Sequence, residues 1–337
     1  MEISTGKTLS ILNFKRPVLR FWFKTIVISL VTLGLYLPIG NKATSDIALY
    51  AMHFKMRVLK EKTPYDVLIM GDSRPMAIGW HQPRNAYNLS LPSFGDIYPW
   101  EYMLKEYVKF HGPPKAILLS IIPETFYQTF DVIPDRQTAE LFPAREILKH
   151  YFDRGDWATG IRILKKHYDR GGRVLSGLTH PAERWMLDKK TGALIFSPEK
   201  KFSYPSSGRF LRLKQSSSPL ALSAVRCAEL ESFAKTAQRF NIPVLLYFMP
   251  IPKEVYLHDA DFYRAFRQDL PLLRKRIPWL KIAEPYPADD LWPNALFCDE
   301  SHLNREGSLY FEKHRLPELV AREPTGNLRD VVSHRPP

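Results

Sequence analysis

The stretch VLIMGDSRPM, residues 67–76, runs four apolar residues into Gly-Asp-Ser and then breaks at Arg-Pro. Four consecutive apolar residues bounded by turn residues suit a strand buried on both faces. A serine just beyond such a strand stands where open α/β sheets hold their ligands, at the carboxyl ends of the strands. The competing reading makes Ser73 only a hydroxyl that caps the next helix, a role Asp72 could fill equally well.

Similar runs recur along the chain. Ala86 to Leu91, Ala116 to Ile122, Pro243 to Met249 and Leu280 to Ala283 are each strand-sized, and helix-like stretches at Pro99 to Phe110, Leu222 to Phe240 and Phe262 to Arg276 lie between them. Strands alternating with helices predict a parallel sheet covered on both faces, an α/β three-layer sandwich. The two parts of that domain are 64–127 and 221–320. A chain of 337 residues with 45% hydrophobic and 25% charged residues is long enough for it and is not disordered. Cys227 and Cys298 allow at most one internal disulfide, which excludes a disulfide framework and a zinc ribbon.

The segment 128–220 interrupts the alternation and reads as an insertion or cap. It holds helical patches at Pro143 to Phe152 and Trp157 to Tyr168, and a hairpin in WMLDKKTGALIF, residues 185–196. Residues 141–214 carry 16 Lys and Arg against 7 Asp and Glu, which is +9 of the chain's +13. Charge this local suits anionic lipid headgroups or an acidic polymer such as a glycan, or else a merely soluble basic cap; without a recognisable binding motif, nucleic acid is not expected.

The N-terminus sets the compartment. Residues 21–41 join the aromatic cluster Phe21, Trp22, Phe23 to the uncharged run TIVISLVTLGLYLPIGN, roughly the ~20 residues that cross a bilayer. A cleaved signal peptide is the rival reading, but no small-x-small site follows the run. Lys7, Lys15, Arg16, Arg20 and Lys24 precede it, so residues 1–20 are expected in the cytoplasm and everything beyond the anchor outside, in the periplasm. Residues 42–63 then read as a juxtamembrane helix whose basic residues either face lipid headgroups or, the favoured reading, form a solvated face, and 321–337 as a tail.

The chemistry points to CDESHLNREG, residues 298–307. Of the ten histidines only His302 has an aspartate three positions before it, a spacing that turns a carboxylate onto the imidazole. Asp299 would hold the ring tautomer while His302 takes the Ser73 proton. Ser73 follows the first strand and Asp299-His302 the last strand-like run, so both belong on one rim of the sheet. Cys298, Asp299 and His302 make a poor metal site, and no metal or cofactor is expected. Arg74 reads as the partner of a carboxylate, and Trp80, His81, Tyr98 and Trp100 as aromatics that either line a sugar groove or fill the core.

In these blocks the chain resembles the SGNH (GDSL-like) hydrolases, in particular their membrane-anchored branch related to alginate O-acetylation and teichoic-acid D-alanylation proteins. The resemblance covers residues 64–125 and 222–316. It implies Ser73 as nucleophile, Asp299 and His302 as its partners, and an oxyanion hole from the amides of Ser73 and Gly95, the latter within NLSLPSFGD, residues 88–96. It departs at the third block: where the family commonly has Gly-x-Asn-Asp, this chain reads SIIPETF, residues 120–126, with no asparagine. Losing one oxyanion donor typically costs ~10²- to 10³-fold in rate. The resemblance implies an inner-membrane serine esterase or O-acyltransferase for a cell-envelope glycan or lipid, as in polysaccharide acetylation, with a multipass membrane acyltransferase as partner. The alternative is a non-catalytic glycan-binding or assembly protein that keeps the fold.

Overall fold

The computed structural model describes residues 24–28, 54–60, 64–79, 85–91, 97–127, 139, 142–153, 155–168, 185–188, 190–196, 198–203, 221–285 and 291–321. The chain divides into two compact units, Met1–Ser45 with Arg170–His180, and Asp46–Asp169 with Pro181–Pro337. In the first, residues 24–28 are helical, and Ile26 and Ile28 are exposed. The remainder of the expected span at 21–41 lies outside the described residues. Among the described residues no helix is long and apolar enough to cross a membrane.

The second unit is built on a parallel sheet. Its strands are β1 (Val67–Gly71), β2 (Ala86–Asn88), β3 (Ala116–Ser120), β6 (Val244–Tyr247) and β8 (Lys281–Ile282), with β4 (Trp185–Leu187) and β5 (Leu194–Phe196) in a separate antiparallel hairpin. Short β7 (Ile251–Pro252) and β9 (Leu291–Trp292) pair beside it. The sheet order is β2-β1-β3-β6-β8, so the five apolar runs of the sequence are its five strands. β1 sits between two neighbours, in register Val67 with Ala86 and with Ala116.

Alternate residues along each strand enter different cores, which is why the runs are continuously apolar. Leu68, Met70, Ile117, Leu119 and Leu246 face one way. There they meet Trp100 of α1 (Tyr98–His111), beyond which the insertion contributes α2 (Ala144–Phe152) and α3 (Trp157–Tyr168). Phe233 of α4 (Ala224–Arg239) completes that layer; α5 (Lys253–His258) leads to α6 (Ala260–Arg276), which adds Phe266. Val67, Ile69, Leu118, Leu245 and Tyr247 face the other way, against Phe297, Phe311 and Leu316, after α7 (Arg305–Tyr310). Each such side chain, fully buried, contributes roughly 1.5–3 kcal/mol. Ser223 caps α4 by accepting from the Arg226 amide, and Gly112, at φ +79°, ends α1.

Two parts of the insertion dock on this frame. The β4–β5 hairpin lies against the edge strand: the Asn88 amide donates to the Thr191 carbonyl at 2.8 Å, and Ile195 joins the second core. It thereby covers part of an edge that would otherwise offer unpaired backbone. The α2–α3 pair rests on α1, where the Tyr98 ring stacks on His150 with centroids 3.5 Å apart. One expectation is corrected at residues 54–58, which are helical. Lys55 there is not on a solvated face but wholly buried, its Nζ donating to the Ser90 carbonyl at 2.6 Å.

Candidate active site

β1 ends on Gly71 because only glycine fits. Its φ is +146°, and a Cβ there would collide with the carbonyl oxygen of Ser120, its register partner on β3. Asp72 is next, almost fully buried. Its carboxylate accepts from the Arg74 amide at 2.8 Å and from the Ile122 amide at 2.7 Å, tying the first loop to the third. Burial raises its pKa above the ordinary aspartate value, against the lowering pull of the Arg74 charge and the two amides. Asp72 is structural, as its sequence context suggested.

Ser73 stands before the 3₁₀ turn Arg74–Ala77, yet its side chain makes no capping bond. Its Oγ lies 2.7 Å from Nε2 of His302. His302 sits in a loop fixed from several sides. The Cys298 amide donates to the His302 carbonyl at 2.8 Å, and Phe297 bridges Leu303. Asn304 caps α7 by accepting from the Gly307 amide at 3.0 Å while its Nδ2 donates to the Ala295 carbonyl at 2.7 Å. A Cβ at Gly307 would collide with the Leu296 carbonyl.

Within that loop Asp299 folds back on the ring. Oδ1 accepts from the amides of Ser301 and His302, both at 2.8 Å, and Oδ2 lies 2.8 Å from His302 Nδ1. Burial works to raise the Asp299 carboxyl, but the hydrogen bond and charge of His302 and the two amides outweigh it, holding the group well below the ordinary carboxylate range. A carboxylate on Nδ1 fixes the proton there and leaves Nε2 as the acceptor for the Ser73 O–H. Serine, imidazole and carboxylate thus form one hydrogen-bonded line at the carboxyl end of β1.

The other singled-out residues divide. Gly95, Trp80 and His81 lie outside the described residues. Trp100 is fully buried in the core, and Tyr98 stacks on His150, so neither lines a groove beside Ser73. The Arg74 guanidinium stands 3.7 Å from the Glu124 carboxylate, both mostly buried. The Cys298 thiol is buried and pushed up to about 12, first by burial and then by the Asp299 charge. In the third block the Ile122 amide is used by Asp72 and its side chain has no donor.

Asn88 was read only as the start of the segment leading to Gly95. It is fully buried, and its Nδ2 donates to the carbonyls of Pro75 and Ile78, both at 2.7 Å, while its Oδ1 accepts from the Ser90 amide at 2.9 Å. Glu312 adds a bond from the Gly79 amide at 2.6 Å, and Ser308 Oγ donates to the Ala77 carbonyl. The turn after Ser73 is therefore gripped from β2, from α7 and from the helical segment after it. An asparagine inside an apolar run was the available signal, since a buried amide needs partners.

No protein-family model matches this chain, and no curated protein matches it either.

Proposed function

We propose that the chain is a serine esterase or O-acyltransferase of SGNH type, with Ser73 as nucleophile, His302 as general base and Asp299 as the group that orients it. The observation that carries the reading is the line Ser73 Oγ, His302 Nε2, His302 Nδ1, Asp299 Oδ2, with links of 2.7 and 2.8 Å. Hydrogen bonds of this length between nucleophile and base, and between base and orienting acid, are the geometry such catalysis requires.

In the first half-reaction Ser73 Oγ attacks the carbonyl carbon of an acyl ester as its proton passes to His302 Nε2. The imidazolium, stabilised by Asp299, returns that proton to the departing alkoxide, leaving the acyl group on Ser73. In the second half, water or a sugar hydroxyl attacks the acyl-enzyme, gives its proton to His302, and restores Ser73. Water completes hydrolysis; a sugar hydroxyl completes transfer. The amides of Ser73 and Gly95 are the proposed oxyanion donors.

The charge pattern around residues 21–41 supports a single-pass anchor with the catalytic unit on the periplasmic side, working on an envelope glycan or lipid, and a multipass acyltransferase is the proposed partner. Transfer is favoured over hydrolysis because the resemblance is to acylation systems. The apolar Ile122 in the third block favours the second reading, a non-catalytic glycan-binding protein. A fluorophosphonate probe separates the two. Labelling of the wild type but not of Ser73→Ala supports the enzyme; no labelling of a folded protein supports the binding module.

A further inference from the structure

The insertion exposes an apolar ridge with a basic border. On α3, Trp157 is 61% exposed and Ile161, one turn on, 59%; on α2, Leu148 is 40% exposed. The ridge is continuous across the two helices, because the Phe152 ring, one turn after Leu148, lies 4.2 Å from the Trp157 ring. Arg145 and Lys149, exposed and four residues apart, flank it on α2, and exposed Arg162 and Lys165 flank it on α3. Of the acidic residues nearby, Glu146 faces Tyr98, whose hydroxyl lies 3.3 Å from its carboxylate, and Asp156 caps α3 by accepting from the Thr159 amide at 3.2 Å. Asp153, exposed, sits in the connection between the helices. Of the other exposed large apolar residues of this unit, Phe110, Val225, Leu257, Leu272 and Tyr310 sit on five separate helices and Trp279 follows α6.

The opposite face of the pair is spent on the fold. Ile147, Tyr151 and Ile163 are buried in the first core. The base of the pair also meets the segment by which the chain enters the unit: Met56, Leu59 and Lys60 share a cleft with Phe142, Pro143 and His167. Residues 54–60 are the first described part of this unit after the proposed anchor.

We propose that the α2–α3 pair is a membrane-contact element that seats Leu148, Phe152, Trp157 and Ile161 in the interface of an anionic bilayer, with Arg145, Lys149, Arg162 and Lys165 on the lipid headgroups. An exposed indole and aliphatic side chains bordered by cations match the headgroup boundary, where amphipathic rings settle and cations are drawn to an anionic surface. An acidic glycan would match the cations but not Ile161 and Leu148. The contact would set the distance and tilt of the Ser73 cleft relative to the membrane. It draws on the proposed membrane placement but on none of the catalytic residues.

The test uses the full chain with an environment-sensitive fluorophore on Ile161→Cys; the two native cysteines are buried. The chain is reconstituted into vesicles of phosphatidylcholine alone or of equal phosphatidylcholine and phosphatidylglycerol. The expected result is a blue-shifted emission and severalfold weaker iodide quenching in the anionic vesicles only. High salt should reverse both changes, and so should a variant with Arg145, Lys149, Arg162 and Lys165 replaced by glutamate. Equal quenching in both vesicle types overturns the proposal. So does protection that is already present in detergent without lipid, which would assign the ridge to a second copy of the chain. Fluorophosphonate labelling of Ser73 in the same samples reports separately on the esterase reading.

Discussion

The side-chain amide of Asn88 holds the carbonyls of Pro75 and Ile78 at 2.7 Å each, so edge strand β2 fixes both ends of the turn that carries Ser73. Asn88→Ala should leave the buried Ile78 carbonyl short of a donor, at about 1–3 kcal/mol, while the Pro75 carbonyl keeps the Ile78 amide. It should also slow acylation of Ser73 on the order of 10²-fold, since a small displacement of a nucleophile is costly. Asn88→Asp should be no rescue, because it aims an acceptor at two carbonyl oxygens. Denaturant unfolding measures the first effect and the rate of fluorophosphonate labelling the second. Wild-type values for both in Asn88→Ala would remove the positioning role.

Lys55 is the other buried polar group on this path, its Nζ on the Ser90 carbonyl, and no carboxylate among the described residues pairs with it. Burial lowers its pKa from 10.5 to about 7. The sign follows from proton counts: between about 7 and 10.5 the unfolded chain still holds the lysine proton while the folded one has released it. Lys55 should therefore make the fold more stable as pH rises through that window, and the gain should level off above it. Denaturant midpoints taken across that range should show a rise that Lys55→Met flattens. An identical profile in the variant would mean that Lys55 does not titrate in the fold.

Gly71→Ala should be among the most damaging single substitutions in the sheet. The added Cβ collides with the Ser120 carbonyl, which is backbone in a buried central strand, and the φ of +146° is itself strained for alanine. A loss of about 4 kcal/mol or more is expected, the range reached only by defects of this kind. Gly112→Ala is a useful control, since a Cβ there meets nothing within 4 Å although its φ is also positive. Comparable thermal stability for Gly71→Ala and wild type would show that β1 and β3 can separate.

The sheet was legible because strands buried on both faces are apolar at nearly every position, and the five runs stood out for that reason even with Asn88, Ser120 and Lys281 inside them. Their order was not, since it depends on how helices cross over the sheet. The Ser73 and His302 pair, 229 positions apart, could be anticipated because each follows a strand-like run, although the strand just before His302, β9, pairs with β7 and not within the main sheet. Asn88 and Lys55 were harder. A polar residue in sequence signals water by default, and only the fold shows that Ser90 and the Pro75–Ile78 turn provide their partners. Lys55 was misread for this reason: helix-like spacing places a lysine on a face but does not say which neighbour covers it.

Topology gives a separate expectation. A reporter that works only outside the cytoplasm, fused after Pro337, should be active, because five basic residues precede the run at residues 25–41. Replacing Lys7, Lys15, Arg16, Arg20 and Lys24 with glutamine should reduce that activity. Full activity of a cytoplasm-only reporter at the same position would place the Ser73 cleft on the wrong side for an envelope substrate.

The catalytic line itself makes the most demanding prediction, because its members should fail together. Ser73→Ala and His302→Ala should each remove nearly all turnover of a short-chain ester. The double variant should be scarcely worse, since neither group keeps its role without the other. Asp299→Asn should act differently: it leaves nucleophile and base in place but withdraws the charge that holds the Nδ1 proton, so its loss should be smaller and should appear in kcat. Circular dichroism must first show that each variant folds. Asp299 also accepts the amides of Ser301 and His302, and its removal could loosen the whole loop. If the three folded variants each turn over the ester at the wild-type rate, the 2.7 Å contact between Ser73 and His302 is a structural hydrogen bond and the esterase reading is wrong.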